Sequence, residues 1–94
     1  MIRNFADKET EKIYNQKFSK KIPQSIQKIA LRKLIMINGA ERLDDLRVPP
    51  SNRLEALKGN RQGQYSIRIN NQYRICFVFL ESGIEQVEIV DYHD

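Results

Sequence analysis

The chain has 94 residues, of which 40% are hydrophobic and 30% charged, with only four glycines and three prolines. This composition is typical of one globular domain over residues 1–94 and excludes a disordered or collagen-like chain. One cysteine and one histidine exclude a disulfide framework and a multi-thiolate zinc site, and they leave few ligands for metal catalysis.

Basic and acidic residues are separated along the sequence. Residues 1–80 carry sixteen basic residues against seven acidic ones, a net charge of +9, whereas residues 81–94 carry five acids and no Lys or Arg. A basic body with a pI near 9.4 favours a phosphate-bearing partner. The start of the chain lacks the apolar run of a signal peptide, and no stretch reaches the length of a membrane span. We therefore expect a cytoplasmic protein with no membrane contact.

Two helices are predicted in the first half of the chain, after a short strand over residues 2–5 whose partner must come from elsewhere. Asp7 is an N-cap candidate for a helix over residues 8–18. Apolar residues recur at spacings of three and four across residues 22–37, which predicts an amphipathic helix that stops at Gly39.

The apolar period changes from 3.6 to 2 after a connector over residues 40–52. The pattern predicts four strands: residues 53–58, 64–69, 73–80 and 85–90. Their short loops imply an antiparallel meander. The order of elements predicts an α+β fold in which two N-terminal helices pack on one face of a mostly antiparallel sheet.

The loop over residues 70–72 sets the register of the central hairpin. A three-residue loop places Arg68 opposite Arg74 and directs both, with Ser66, away from the helices. The residues that would then lie under the helices are Tyr65, Ile67, Ile69, Tyr73, Ile75 and Phe77. Two opposed arginines repel each other unless an anion lies between them, and the alternative is a pair of solvated surface charges.

Candidate groups for chemistry cluster at a turn and at the end of the chain. Lys58 precedes the turn between the first two sheet strands, and Asp91, Tyr92 and His93 supply a proton acceptor, a stacking ring and a group that titrates near neutrality. Strict alternation from Ile89 would send Asp91 and His93 towards the helices and Tyr92 towards the arginines. A terminal histidine is also compatible with a frayed surface residue.

Other candidate features are interpreted as structural. Gly59 and Gly63 form neither a Walker loop nor a dinucleotide fingerprint, and they suit turns. Cys76 is interpreted as a small core hydrophobe on a central strand rather than a nucleophile, because its one conceivable base is His93.

Three motifs occur in order along the second half of the chain: L-x-G-x-R-x-G in residues 57–63, I-R-I-N-x-Q-Y-R in residues 67–74 and V-D-Y-H in residues 90–93. With the opening five residues and the length, they resemble the HigB toxins of the RelE superfamily over essentially the whole chain. The resemblance implies a RelE-like, microbial-ribonuclease-like fold. It also implies a toxin of a type II toxin–antitoxin system that cleaves mRNA in the ribosomal A site and inhibits translation and growth.

The resemblance further implies partners and site residues. The expected partners are mRNA, ribosomal RNA and a helix-turn-helix, HigA-like antitoxin, with DNA contacted only through the antitoxin complex. The family's active-site positions fall on Lys58, Arg68, Arg74, Asp91, Tyr92 and His93. Some relatives have a histidine in the strand before the Lys-Gly turn where this chain has Glu55, so a mechanism with two imidazoles is excluded.

No metal or cofactor is expected for this reaction, because RNA carries its own nucleophile in the 2′-hydroxyl group. The alternative function is a non-catalytic RNA- or ribosome-binding module that uses the same basic face. A pure protein-interaction module would explain the acidic end of the chain but would leave the opposed Arg68 and Arg74 unexplained.

Overall fold

The computed structural model describes residues 1–92, and this part of the chain contains two α-helices and a four-stranded antiparallel sheet. The helices are Lys8–Tyr14 (α1) and Gln24–Gly39 (α2). The strands, in their order across the sheet, are Glu55–Ala56 (β1), Tyr65–Arg68 (β2), Tyr73–Leu80 (β3) and Gly83–Asp91 (β4). The predicted α+β fold, with two helices on one sheet face, is confirmed. Within residues 1–92, no helix is both long and apolar enough to cross a membrane.

The first helix is shorter than the sequence predicts. Asp7 caps it as expected, because its carboxylate accepts a hydrogen bond from the Thr10 amide at 3.0 Å. The predicted span of residues 8–18 is wrong at its end, since α1 stops at Tyr14 and Gln16 adopts a left-handed φ of 62°. Helix-compatible side chains therefore did not prevent the chain from turning there.

Buried Ser19 fixes the junction between the helices. Its hydroxyl donates to Glu9 at 2.6 Å and accepts from the amides of Lys21 and Ile22, each at 3.2 Å. The bond from Ser19 is the main reason that the pKa of Glu9 lies below its usual value. These bonds tie α1 to the segment that leads into α2.

The hydrophobic core lies between α2 and one face of the sheet. The predicted register of the central hairpin is observed, with Arg68 opposite Arg74 across β2 and β3. The fully or almost fully buried core residues include Ile26, Ala30, Leu34 and Ile37 of α2 and Ile67, Ile75 and Phe77 of the sheet. Side chains alternate along a strand, so the two arginines point to the opposite face.

The start of the chain lies beside β4. Ile2 pairs in parallel with Ile84, and Phe5 pairs in parallel with Val87, so β4 is the partner that the predicted first strand required. The predicted start of the last strand at residue 85 is two residues late, because β4 begins at Gly83. Opposite the Cys76 to Val78 segment, a register shift adds a residue to β4, at the positive-φ residue Gln86.

Candidate functional site

The sheet face away from the helices has a floor of four residues that are neighbours across all four strands. In order from β1 to β4, they are Glu55, Ser66, Cys76 and Glu88. The two central residues are fully buried although they do not lie under the helices. Other side chains of this face must therefore cover them, and these are Arg74 and Tyr92.

Arg74 lies across the first half of the floor. Its Nε donates to Ser66 Oγ at 2.7 Å, and its Nη2 donates to the carbonyl oxygen of Arg53 at 2.5 Å. The same Nη2 lies 3.4 Å from Glu55 Oε1, and the side chain is only 11% exposed. Protein acceptors thus hold this guanidinium in place. They also offset the repulsion from Arg68. From the sequence, this role was expected of a bound anion or of solvent.

Arg68 points along the hairpin loop instead of across the floor. Its Nε donates to the Asn70 carbonyl at 3.1 Å, and its Nη2 contacts Asn71 Oδ1. The Asn70 side chain accepts the amides of Gln72 and Tyr73 at 2.9 and 2.8 Å. The loop therefore supplies the acceptors of the Arg68 guanidinium, whereas those of Arg74 lie on other segments.

Tyr92 covers the second half of the floor. Its hydroxyl oxygen lies 3.6 Å from Cys76 Sγ. Burial raises the pKa of the Cys76 thiol and also the pKa of the Tyr92 phenol, so both groups are protonated near neutral pH. Cys76 is buried as expected for a small hydrophobe, but it belongs to the floor of this face and not to the core beneath the helices.

Arg61, from the 3-10 turn between β1 and β2, reaches the end of the floor at Glu88. Arg61 donates to Gln64 Oε1 at 3.0 Å and to Glu88 Oε1 at 3.3 Å. Each acidic end of the floor is therefore paired with one arginine, Glu55 with Arg74 and Glu88 with Arg61.

A pocket of about 290 Å³ opens beside Arg74. Its lining consists of Arg53, Arg68, Asn70, Asn71, Arg74 and Tyr92. Three guanidinium groups and a phenol can bind an anion that also carries an aromatic ring system. Arg53 and both asparagines were not predicted as site residues from the sequence. The two asparagines stand between the opposed arginines in sequence, which was the available signal for them.

Two further predicted site residues, Lys58 and Asp91, do not line this pocket. Lys58 is exposed and precedes a 3-10 turn at Gly59–Arg61. Asp91 is exposed at the end of β4, where Gln72 Nε2 lies 3.2 Å from both carboxylate oxygens. His93 lies outside the described residues. The structure therefore brings together Arg68, Arg74 and Tyr92.

Residues 3–93 match the HigB-like toxin family, described as the RelE-like toxin of the type II toxin-antitoxin system HigB. The chain belongs to this family. It is 40% identical to Toxin HigB-1 of Vibrio cholerae serotype O1 over 94 residues, which cover 99% of this chain and 98% of that protein. An uncharacterized protein of Haemophilus influenzae is 48% identical over 67 residues, or 71% of this chain and 66% of its own length.

Two solved structures share the fold of this HigB-like chain. One is a chain of the YoeB-YefM complex from Staphylococcus aureus, with a TM-score of 0.61, 19% identity and coverage of 100% of this chain and 99% of that chain. The other belongs to a heterotetrameric YoeB-YefM toxin-antitoxin complex from the same species, with a TM-score of 0.60, 21% identity and the same coverage. The chain is thus a type II toxin–antitoxin toxin of the RelE and HigB family.

Proposed function

We propose that this chain is a ribosome-dependent endoribonuclease that cleaves mRNA in the ribosomal A site and thereby inhibits translation and growth. The observation that carries the proposal is the pocket in which Arg53, Arg68 and Arg74 lie beside Tyr92. It combines groups that bind phosphate with a ring on which a base can stack. Membership of the HigB-like toxin family supports the same function.

The reaction begins with attack of the RNA 2′-oxygen on the adjacent phosphorus. The P–O5′ bond breaks, the 2′-hydroxyl loses its proton to a base, and the 5′-oxygen receives a proton from an acid. The products are a 2′,3′-cyclic phosphate and a 5′-hydroxyl end. Because RNA supplies the nucleophile, the protein needs only to transfer protons and stabilise charge, and no metal or cofactor enters the proposal.

Charge stabilisation is assigned to the cationic residues Lys58, Arg68 and Arg74. Electrostatic stabilisation of this kind is worth about 3–4 kcal/mol per well-placed donor. Arg74 is already fixed by Ser66 and by the Arg53 carbonyl, so it meets the transition state without first being ordered. Lys58 is exposed, directly before the 3-10 turn Gly59–Arg61.

Proton transfer is assigned to the end of the chain, at Asp91, Tyr92 and His93. The raised pKa of Tyr92 makes its phenol a hydrogen-bond or proton donor near neutral pH and not a base. An unperturbed imidazole titrates near neutrality, so we propose His93 as one proton-transfer partner. One positioned acid or base typically contributes about 10²- to 10⁴-fold.

The ribosome would supply the orientation that a chain of this size cannot impose on flexible RNA. When the ribosome holds the mRNA in one geometry, the reacting groups do not have to be oriented by chance. This is the proximity effect, provided here by a partner. Exposed lysines of the first helix and of the segment that follows it, such as Lys8 and Lys20, would contact ribosomal RNA. We further propose cytoplasmic action and neutralisation by a helix-turn-helix, HigA-like antitoxin, through which any contact with DNA would be made.

The test compares programmed ribosomes with naked RNA. The purified chain is dialysed against EDTA, then mixed with ribosomes in their own magnesium buffer, and cleavage is mapped by primer extension. We expect A-site cleavage on ribosomes and little cleavage of the same RNA alone. Equal cleavage of both substrates would reject the dependence on ribosomes. Binding to ribosomes without any new RNA end would favour the non-catalytic binding module.

His93 is tested by His93→Gln and by a chain that ends at Tyr92. If His93 transfers a proton, both should lower the cleavage rate on ribosomes by about two orders of magnitude or more. The fold should remain intact, because the Tyr92 amide still donates to the Gln72 carbonyl at 2.6 Å and closes the sheet. Parental cleavage rates in both chains would leave proton transfer to Asp91, Tyr92 or Lys58.

A further inference from the structure

Arg53 has an unusual backbone that the surrounding chain holds in place. It follows the 3-10 turn Pro50–Asn52 with φ 46° and ψ 57°, in the left-handed region that residues with a side chain rarely adopt. Its amide donates to the Pro50 carbonyl at 3.0 Å, and its carbonyl accepts from Arg74 at 2.5 Å. Asn52, directly before it, is fully buried and donates to the Leu46 carbonyl at 3.1 Å. The position of this backbone is therefore fixed on both sides.

The side chain of Arg53 is exposed and forms part of the pocket wall. Its guanidinium makes no hydrogen bond or ion pair with any residue of the described range 1–92, whereas those of Arg68 and Arg74 are both bonded to protein acceptors. The six lining residues include three arginines and no acid. An anion bound among these three cations would be attracted by all of them.

We propose that Arg53 is an RNA-binding residue whose guanidinium binds a backbone phosphate in this pocket, and that Arg74 positions it through the Arg53 carbonyl. This inference rests on the proposed function, because it takes RNA as the ligand. A guanidinium offers two parallel N–H donors that match two phosphate oxygens, which a lysine cannot do. Arg74 is largely buried and committed to Ser66, so Arg53 is the more accessible cation of the two.

Glycine at position 53 allows a test with little disturbance of the fold. Glycine adopts this φ without strain, so Arg53→Gly removes the guanidinium while the carbonyl that accepts from Arg74 stays in place. Arg53→Lys keeps the charge but loses the planar fork. Arg47→Ala is the matched control for loss of one positive charge, because Arg47 is an exposed residue of a 3-10 helix that does not line the pocket. Should Arg53→Gly fail to fold, Arg53→Asn tolerates the same backbone.

The probe is a short fluorescent 2′-O-methyl RNA, which lacks the nucleophile and cannot be cleaved by this route. Binding is measured by anisotropy over a series of salt concentrations. Arg53→Gly should weaken binding about tenfold or more, and it should reduce the slope of log K against log salt by about 0.7, the value for one phosphate contact on single-stranded RNA. Arg53→Lys should keep most of the slope with weaker binding, and Arg47→Ala should change both quantities much less.

Three results would overturn the inference: parental affinity and slope in Arg53→Gly, equal weakening by Arg53→Gly and Arg47→Ala, or no measurable binding by the parent chain. The proposed function fails separately. A parent chain that binds the probe through Arg53 but leaves ribosome-bound mRNA intact refutes the nuclease and not the RNA contact. A parent chain that cleaves, with an Arg53→Gly variant that binds normally, refutes only the role of Arg53.

Discussion

Arg74 shows how one residue can serve both the fold and the site. Its guanidinium covers buried Ser66 and fixes the backbone of Arg53, while its position in the pocket places it beside any bound anion. The loss of a positive charge and the loss of these hydrogen bonds are therefore coupled at this position. Measured effects of its substitution on toxicity need a parallel measurement of stability.

Arg74→Ala should lower the free energy of unfolding by about 1–3 kcal/mol, because Ser66 Oγ loses its charged donor and a buried polar group is left unsatisfied. Arg68→Ala is the comparison, and its loss should be smaller, since Arg68 bonds to loop atoms at a more exposed site. Urea unfolding of both variants measures the difference. Equal midpoints for the parent chain and Arg74→Ala would show that the anchoring bonds contribute nothing to stability.

Tyr92 should protect the thiol of Cys76. The thiol is fully buried beneath this face and its pKa is raised by burial, so little reactive thiolate exists near neutral pH. Tyr92→Ala should speed labelling by a thiol reagent at pH 8 by an order of magnitude or more, whereas Tyr92→Phe keeps the ring and should stay close to the parent. The chain has a single cysteine, which makes the signal unambiguous. Fast labelling of the parent would contradict this packing.

At the scale of elements, β4 differs most from a regular strand. Its helix-facing residues are Ile84, Val87 and Ile89, whose spacing of three and then two requires an inserted residue. Gln86 takes that position with φ 55°, and its amide donates to Asn4 Oδ1 at 2.7 Å. The bulge therefore directs Val87 into the core and also ties β4 to the start of the chain.

Substitutions at Gln86 should follow the cost of its left-handed backbone. Gln86→Gly should change the free energy of unfolding by less than about 1 kcal/mol, because relief of strain and greater freedom of the unfolded chain oppose each other. Gln86→Val should cost about 1–2 kcal/mol, since a branched side chain fits this φ poorly. Chemical denaturation of both variants measures their free energies of unfolding and shows which one is more stable. A Val variant as stable as the Gly variant would argue against the bulge.

Periodicity and loop length predicted the regular parts of the fold. The apolar spacing of α2 and the three-residue loop after β2 both follow from local pattern, and both are observed. The early end of α1 was not predicted, because helix-compatible residues continue to residue 18 and the bond from Ser19 back to Glu9 leaves no periodic signal. Alternation across residues 53–58 likewise predicted a strand, but only Glu55–Ala56 pairs, because Arg53 is left-handed and Lys58 already precedes a turn.

The residues of the candidate site likewise divide into those that the sequence predicted and those that it did not. The register of the hairpin was enough to place Arg68 and Arg74 on one face, and Tyr92 joins them in the pocket. Arg53 was missed because its place in the wall depends on a backbone bent by the turn before it and held by a side chain 21 residues later. Contacts at that sequence distance leave no periodic signal.

At the scale of the whole molecule, the acidic end of the chain is part of the sheet. Most of residues 81–94 form β4, where Glu88 pairs with Arg61 at 3.3 Å across the face that holds the site. An acidic residue from the end of the sequence therefore lies next to a basic residue from the first 80 residues in the folded chain. The exposed basic residues of α2, Lys28 and Arg32, belong to the layer on the other face of the sheet.

The first five residues complete the molecule by covering the free edge of β4, and their removal should have consequences for the whole fold. The amides of Ile84 and Val87 donate to the carbonyls of Met1 and Asn4 at 2.9 and 3.4 Å, and Phe5 packs on Tyr14 with ring centroids 5.5 Å apart. A chain that lacks residues 1–5 loses these bonds and the partly buried side chains of that segment. We expect a loss of about 2–4 kcal/mol of stability.

The same deletion should also leave β4 as an open edge, because its outward amides and carbonyls then have no partner strand. Hydrogen exchange should become much faster at Ile84 and Val87, and sedimentation should detect dimers or larger species at high concentration. The chain that ends at Tyr92 is the control, since it is shortened at the other terminus and keeps every one of these bonds. Parental exchange at both amides after deletion of residues 1–5 would show that β4 is held by β3 alone and that the parallel pairing at its other edge contributes nothing.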